Sequence, residues 1–227
     1  APARLGVEPV YVDIDPVMFN IDPAAAAAAV TPRTQAILAV HLHGLPCDMA
    51  ALRELADRHG LALIEDAAQA HAAEYRGKRA GALGDIAAFS LNASKNLPTC
   101  GEGGLVTTDD TAAHDRVVLH RQFGERMPGS GPRRYVHEVL AGNAKLSVIQ
   151  AVFARSQLGM LSARAAERDH NVRFLLKQLS GLDGLLLPGC PSDRSHAWHM
   201  LRFRVDPAAM GYPDVRAGPL RALLQRA

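Results

Sequence analysis

The chain has 227 residues, with 25 basic and 23 acidic side chains and a formal net charge of +2. On a scale of roughly 100–200 residues per domain, that is one large domain or one and a half. Charge so near balance argues against a nucleic-acid or anionic-membrane protein, whose basic residues would outnumber the acids and cluster.

The first hundred residues alternate short β-rich runs with helix-like stretches. Pro9 to Ile14 (PVYVDI) reads as a strand. Asp22-Pro23 then opens an alanine run to Val30, with Asp as N-cap and Pro at the first helical position. The run is too short and too weakly apolar to span a bilayer. Thr34 to Leu42 is a continuous apolar strand, and Met49 to His59 has apolar residues at helical spacing before Gly60 as a stop. Leu61 to Ala67 is the next strand, ending in two acids; Ile86 to Leu91 and Gly103 to Thr108 complete the set. Strands apolar throughout predict a mostly parallel sheet covered on both faces, built from βαβ units.

After Asp110 the pattern changes. Thr111 to Gln122 reads as a helix, and Gly124 to Pro132 as a turn-rich loop. Leu146 to about Leu179 reads as one long helical stretch, interrupted only by Gly159, of the kind that links two domains. Leu185 to Pro188 and Trp198 to Val205 read as strands of a smaller unit that reaches Ala227 in mid-helix. The expected organisation is therefore a large domain over 1–145, a linking helix over 146–180 and part of a small α/β domain over 181–227. Cys47, Cys100 and Cys190 are odd in number and far apart, which suits a reduced cytoplasm better than a disulfide framework. No charged-then-apolar targeting segment opens the chain.

In doubly wound sheets, ligands bind beyond the carboxyl ends of the strands. Three features fall there: Glu65-Asp66-Ala67-Ala68-Gln69, Ser90 to Asn96 with its Lys95, and Gly101-Glu102-Gly103-Gly104. An acid and a lysine, each at the carboxyl edge of a buried strand, suit pyridoxal phosphate chemistry. The lysine amine forms an imine with the cofactor aldehyde, and a carboxylate keeps the pyridine nitrogen protonated. A small hydroxyl residue before the lysine, in a turn rich in free N–H groups, can hold the phosphate. The glycines at 101–104 lack phosphate-loop spacing and read as a turn into an antiparallel strand.

Four stretches carry a resemblance: PVYVDIDPVMFNIDP (9–23), VHLHGLPCDM (40–49), IEDAAQAHAAEYRGKRAGALGDIAAFS (64–90) and SKNLPTCGEGGLVTTDD (94–110). With GNAKLSVIQAVFARSQL (142–158) more weakly matched, the chain resembles the pyridoxal phosphate-dependent sugar aminotransferases of the DegT/DnrJ/StrS type. The resemblance implies an α/β fold like that of aspartate aminotransferase (fold type I), in a cytoplasmic homodimer with shared active sites. It implies pyridoxal 5'-phosphate as cofactor, glutamate or glutamine as amino donor, and a nucleotide-linked keto sugar or cyclitol as acceptor. By position, Lys95 would form the imine and shuttle the proton. Asp66 would pair with the pyridinium, Gln69 with the ring hydroxyl, and Ser90 with the phosphate. Asn143 would reach the neighbouring subunit's cofactor. The family's N-terminal segment, with its further phosphate-binding turn and stacking aromatic, has no counterpart here, so the sequence reads as the central piece of a longer protein.

The rival readings are a sugar dehydratase of the same family, in which the lysine is usually replaced by histidine, and a non-catalytic module. Lys95 favours transamination. His41, His43, Cys47 and Asp48 crowd one loop, but H-x-H-x3-C matches no strong zinc pattern and no second ligand pair follows, so no metal is expected.

Overall fold

The computed structural model describes residues 2–127 and 129–211. Its elements in chain order are α1 (Pro23–Ala29), β1 (Ala36–Val40), α2 (Met49–His59), β2 (Ala62–Asp66), β3 (Glu74–Tyr75), β4 (Lys78–Arg79), β5 (Ile86–Ser90), β6 (Gly104–Thr107), α3 (Thr111–Arg121), α4 (Val148–Leu158), α5 (Leu161–Leu179), β7 (Leu185–Leu186) and β8 (Arg204–Val205). The main sheet has the order β1-β2-β5-β6. Its first three strands are parallel, and β6 runs antiparallel to β5, entered through the glycine turn.

Local chemistry explains the elements that position the sheet's carboxyl edge. Asp22 caps α1 by accepting the Ala24 N–H, and Asp48 caps α2 by accepting the Ala51 N–H. Gly60 ends α2 in the left-handed conformation (φ 64°), where its missing Cβ removes the usual penalty. Leu52, Leu55 and Ala56 of α2 then bury against Ile37, Ala39 and Leu63 of the sheet. Leu52 and Leu63 are wholly buried, each worth about 1.5–3 kcal/mol in apolar burial.

Four expectations are corrected. Residues 9–14 form no strand: only Ile14 bridges, to Ile21, and Val10 and Tyr11 stay exposed. Pro9 has no N–H to give a ladder, and the segment finds no neighbouring strand among the described residues. Among the described residues β1 is covered on one face: it alternates, with Ile37 and Ala39 buried and Leu38 and Val40 exposed. The long stretch from 146 is two helices, broken at Gly159 and Met160. Ser147 and Gln150 start α4 with a reciprocal capping box, and Gly159 lowers the helical preference where it stops. Finally, β7 and β8 are an antiparallel pair of two residues each, and Trp198 to Phe203 lie outside any strand. The mid-helix ending expected at Ala227 lies outside the described residues.

The segment 193–199 returns to the first unit. Ser195 exchanges hydrogen bonds with Glu74, giving N–H to its carbonyl at 2.8 Å and accepting its N–H on Oγ at 2.9 Å. The Ala197 N–H donates to the Gly44 carbonyl (2.8 Å), and the His199 N–H to the His43 carbonyl (3.0 Å). Asn96, beside Lys95, donates its side-chain amide to the Ala197 carbonyl (2.8 Å). Arg194 lies over the Tyr75 ring and donates to the Pro46 carbonyl. Ala197 thereby joins Ala67, Ala70, Ala73 and Ala80 in a small core of its own.

Candidate functional site

Parallel register brings the carboxyl ends of β1, β2 and β5 side by side. Val40 lies opposite Asp66, and Asp66 opposite Ala88, two residues before Ser90. One Asp66 carboxylate oxygen accepts the Ala68 N–H (3.0 Å), opening the turn that carries Gln69; the other meets no donor among the described residues. Gln69 Oε1 accepts the His43 N–H at 2.6 Å, which fixes the amide's orientation and leaves its NH2 to donate elsewhere. Ser90 Oγ accepts the Asn92 N–H (3.2 Å), so the hydroxyl proton is free to point to a ligand.

Lys95 is presented by the turn after β5. Asn92 holds that turn: its Oδ1 accepts the Ser94 N–H (2.8 Å) and hydroxyl (2.6 Å), and its carbonyl accepts the Lys95 N–H (2.9 Å). Its side-chain NH2 donates to Glu102 Oε1 at 2.5 Å, tying the turn to the glycine-rich loop. Asp66, Gln69, Ser90 and Lys95 thus sit on neighbouring strand ends and the turns that follow them. Asn143 does not join them. It is exposed, bridges Gln122 near the end of α3, and accepts the Lys145 N–H.

The two adjacent acids of β2 are sorted by strand geometry, since successive side chains point to opposite faces. Glu65 is wholly buried and accepts from His41 Nε2 (2.9 Å) and from the N–H groups of Gly81 (2.7 Å), Leu83 (2.7 Å) and Gly84 (2.6 Å). Burial alone would push its carboxyl up; the His41, Gly81 and Gly84 donors outweigh this and hold it below the usual range. The Cys47 N–H donates to His41 Nδ1 (3.2 Å), so the proton of this imidazole is on Nε2, facing Glu65. Glu65 is a structural clamp, and Asp66 is the acid left with an oxygen to offer.

The sequence reading considered His43 only as a weak metal ligand and passed over His71. His71 is 2% exposed, lies tilted against the Phe89 ring at 5.3 Å, and has no partner for either ring nitrogen among the described residues. The Ser90 backbone lies close enough to bias the ring toward its charged form, yet no hydrogen bond of acceptable geometry results. Burial pushes His71 down to about 4, and the charges of His199 and Lys95 act in the same direction. His43 and His199 are also lowered, by burial first and then by neighbouring cationic groups: Arg202 and His199 for His43, Lys95 and Arg168 for His199. The signal available in the sequence was the recurrence of His at 41, 43, 71, 196 and 199 beside apolar residues. Only the tertiary return of segment 193–199 gives it meaning.

In the loop read as a poor zinc candidate the fold takes up three of the four side chains, while His43 keeps a buried Nε2 without a partner among the described residues. His41 serves Glu65, the Cys47 thiol donates to the Val40 carbonyl (3.2 Å), and Asp48 caps α2 while accepting the Tyr75 hydroxyl (2.8 Å). Burial pushes the Cys47 thiol up to about 12, so it stays protonated. By contrast, the set at the sheet edge fits a phosphorylated pyridine aldehyde. It offers a carboxylate oxygen without a donor, an amide NH2 and a hydroxyl free to donate, a primary amine, and an imidazole with two idle nitrogens.

Comparison with known proteins places the chain in a family. A model of the DegT/DnrJ/EryC1/StrS aminotransferase family matches residues 1–217. The chain is 41% identical over 206 residues to dTDP-3-amino-3,4,6-trideoxy-alpha-D-glucose transaminase from Streptomyces venezuelae, covering 91% of this chain and 53% of that protein. It is 39% identical over 209 residues to 3-amino-5-hydroxybenzoate synthase from Amycolatopsis mediterranei, covering 90% and 53%. The crystal structure of S. venezuelae DesV in complex with a ketimine intermediate superposes with a TM-score of 0.85 at 40% identity, over 96% of this chain and 55% of that one. The chain spans about half the length of the relatives it matches.

Proposed function

Because the chain belongs to the DegT/DnrJ/EryC1/StrS aminotransferase family, we propose that the protein it comes from transfers an amino group to the keto carbon of a nucleotide-linked sugar or a related cyclitol. The amino donor is glutamate or glutamine, and the cofactor is pyridoxal 5'-phosphate. The observation that supports this reading most is the gathering of Asp66, Gln69, Ser90 and the Lys95 turn at the carboxyl ends of β2 and β5.

Each residue has a task its surroundings suit. Asp66 keeps an oxygen without a donor for the protonated ring nitrogen, and Gln69 would give an amide N–H to the ring oxygen. Ser90 donates its hydroxyl to the phosphate. Lys95 would hold the cofactor through its amine, and that amine would take a proton from, or return it to, the substrate carbon. When bound, the cofactor supplies an electron sink for the carbon that loses its proton. Among the relatives' names, that of a dTDP-sugar transaminase supports the nucleotide-linked sugar, and that of an aminohydroxybenzoate synthase shows that ring products other than sugars occur among them.

The working unit in this reading is a homodimer. Asn143 lies apart from the cluster on an exposed edge, as a residue that serves the neighbouring subunit's site would. Close by, α4 exposes Val148, Ile149 and Val152, which a partner would cover. The setting is cytoplasmic, in line with unpaired Cys47, Cys100 and Cys190; among the described residues no helix is long and apolar enough to cross a membrane.

The test uses the full-length protein with pyridoxal 5'-phosphate, glutamate or glutamine, and a panel of nucleotide-linked keto sugars and free inososes. The reading expects donor-dependent loss of the cofactor's visible absorbance, restored by one member of the panel. No cofactor spectrum, or no response to any donor, would overturn it.

A further inference from the structure

The imidazole of His71 has no use in the fold as it stands. It is 2% exposed, yet neither Nδ1 nor Nε2 has a hydrogen-bond partner among the described residues. Buried polar groups are nearly always paired, and an unpaired one destabilises the folded state. The position is also held against backbone preference: the next residue, Ala72, sits at φ 68°, in the left-handed region that a Cβ disfavours. Strain and an idle polar group thus occur at adjacent residues, a pairing characteristic of ligand sites.

Its surroundings are those of the candidate site. His71 follows Asp66 by five residues, in the second of two successive turns after β2, and its ring lies against Phe89, the residue before Ser90. Burial, joined by the basic charges of His199 and Lys95, outweighs the Ser90 backbone's pull toward a second proton. The ring is neutral, with one N–H donor and one acceptor nitrogen.

Resting on the functional reading above, we propose that His71 is a positioning residue for the cofactor, its ring N–H donating to an acceptor oxygen of bound pyridoxal 5'-phosphate. The same side chain then weakens the cofactor-free protein and tightens the loaded one. A residue that merely fills the core would stabilise both states alike, and this separates the two roles.

The experiment uses the full-length protein and two variants, H71L and H71Q, each freed of cofactor. Leucine is close to histidine in volume and lacks the idle nitrogens. H71L is expected to melt about 2–4 °C higher than the wild type without cofactor. Its dissociation constant for pyridoxal 5'-phosphate, followed by absorbance or by quenching of Trp198 fluorescence, is expected to rise about tenfold. H71Q, which keeps a donor, is expected to recover most of that affinity. A cofactor-free H71L that melts lower than the wild type, or an affinity within twofold of it, would overturn the proposal. A wild type that binds no pyridoxal 5'-phosphate overturns the functional reading itself, and that failure is seen before any variant is made.

Discussion

His41 donates its Nε2 proton to Glu65 Oε2 at 2.9 Å, with both side chains wholly out of solvent. The contact joins the end of β1 to β2 one residue before Asp66, and the same carboxylate gathers the N–H groups of Gly81, Leu83 and Gly84. The edge that carries Asp66 is therefore held by a buried carboxylate with four donors.

Replacing Glu65 with Gln puts an NH2 where only donors converge. At least one buried N–H then loses its acceptor, and the charge that strengthened the rest is gone. E65Q should lose about 3 kcal/mol of stability, measured by urea unfolding of the full-length protein. A loss under about 1 kcal/mol would mean that the clamp is not structural.

Gly44 marks the closest approach of three segments. A Cβ there would lie 2.7 Å from the Gln69 carbonyl oxygen and 2.9 Å from the Ala197 Cβ, and φ is +101°. G44A should lose about 2–4 kcal/mol, from overpacking and left-handed strain together. Because His43 and Gln69 are hydrogen-bonded beside it, cofactor affinity should fall as well. Unfolding curves and a cofactor titration on the same sample check both.

These contacts show where sequence reading succeeds and where it ends. The Asp22 and Asp48 caps, the Gly60 stop and the apolar face of α2 are local, and so are legible in residues 22–60. The places of Asp66, Ser90 and Lys95 at strand ends and the turn beyond were legible because short apolar runs precede them. Glu65 and Asp66 look alike in sequence, and only the pleat separates them. The return of Ala197 to Gly44 spans more than a hundred residues and leaves no periodic trace. The strand expected at 9–14 failed because propensity cannot supply a neighbouring strand.

Acid should weaken the cofactor-free protein by a route traceable to single residues. His71 and His196 are lowered from 6.5 to about 4 and about 3, first by burial. A histidine buried neutral takes up its proton sooner in the unfolded chain, so stability is full above pH 6.5 and is lost as pH falls towards the folded value. Lowering the pH from 7 to 5 should therefore cost the wild type about 2 kcal/mol more than it costs H71L. Equal losses in urea unfolding at the two pH values would contradict the neutral, buried assignment.

Asp66→Asn separates cofactor chemistry from cofactor binding. Asn is nearly isosteric and can still accept the Ala68 N–H, so the strand end should survive. Losing the charge-assisted contact should weaken cofactor binding about tenfold or more. Turnover at saturating cofactor should fall by about a hundredfold or more, since the charge matters most as the substrate carbon loses its proton. Equal turnover at saturation would make Asp66 a tether only.

The account rests on one amine. The chain has four lysines, at 78, 95, 145 and 177, and only Lys95 stands in the turn that follows β5 and Ser90. Full-length protein loaded with pyridoxal 5'-phosphate, reduced with borohydride and digested, should carry the stable pyridoxyl mass on the Lys95 peptide alone. The mass on Lys78, Lys145 or Lys177 instead, or on no lysine at all, would contradict the account.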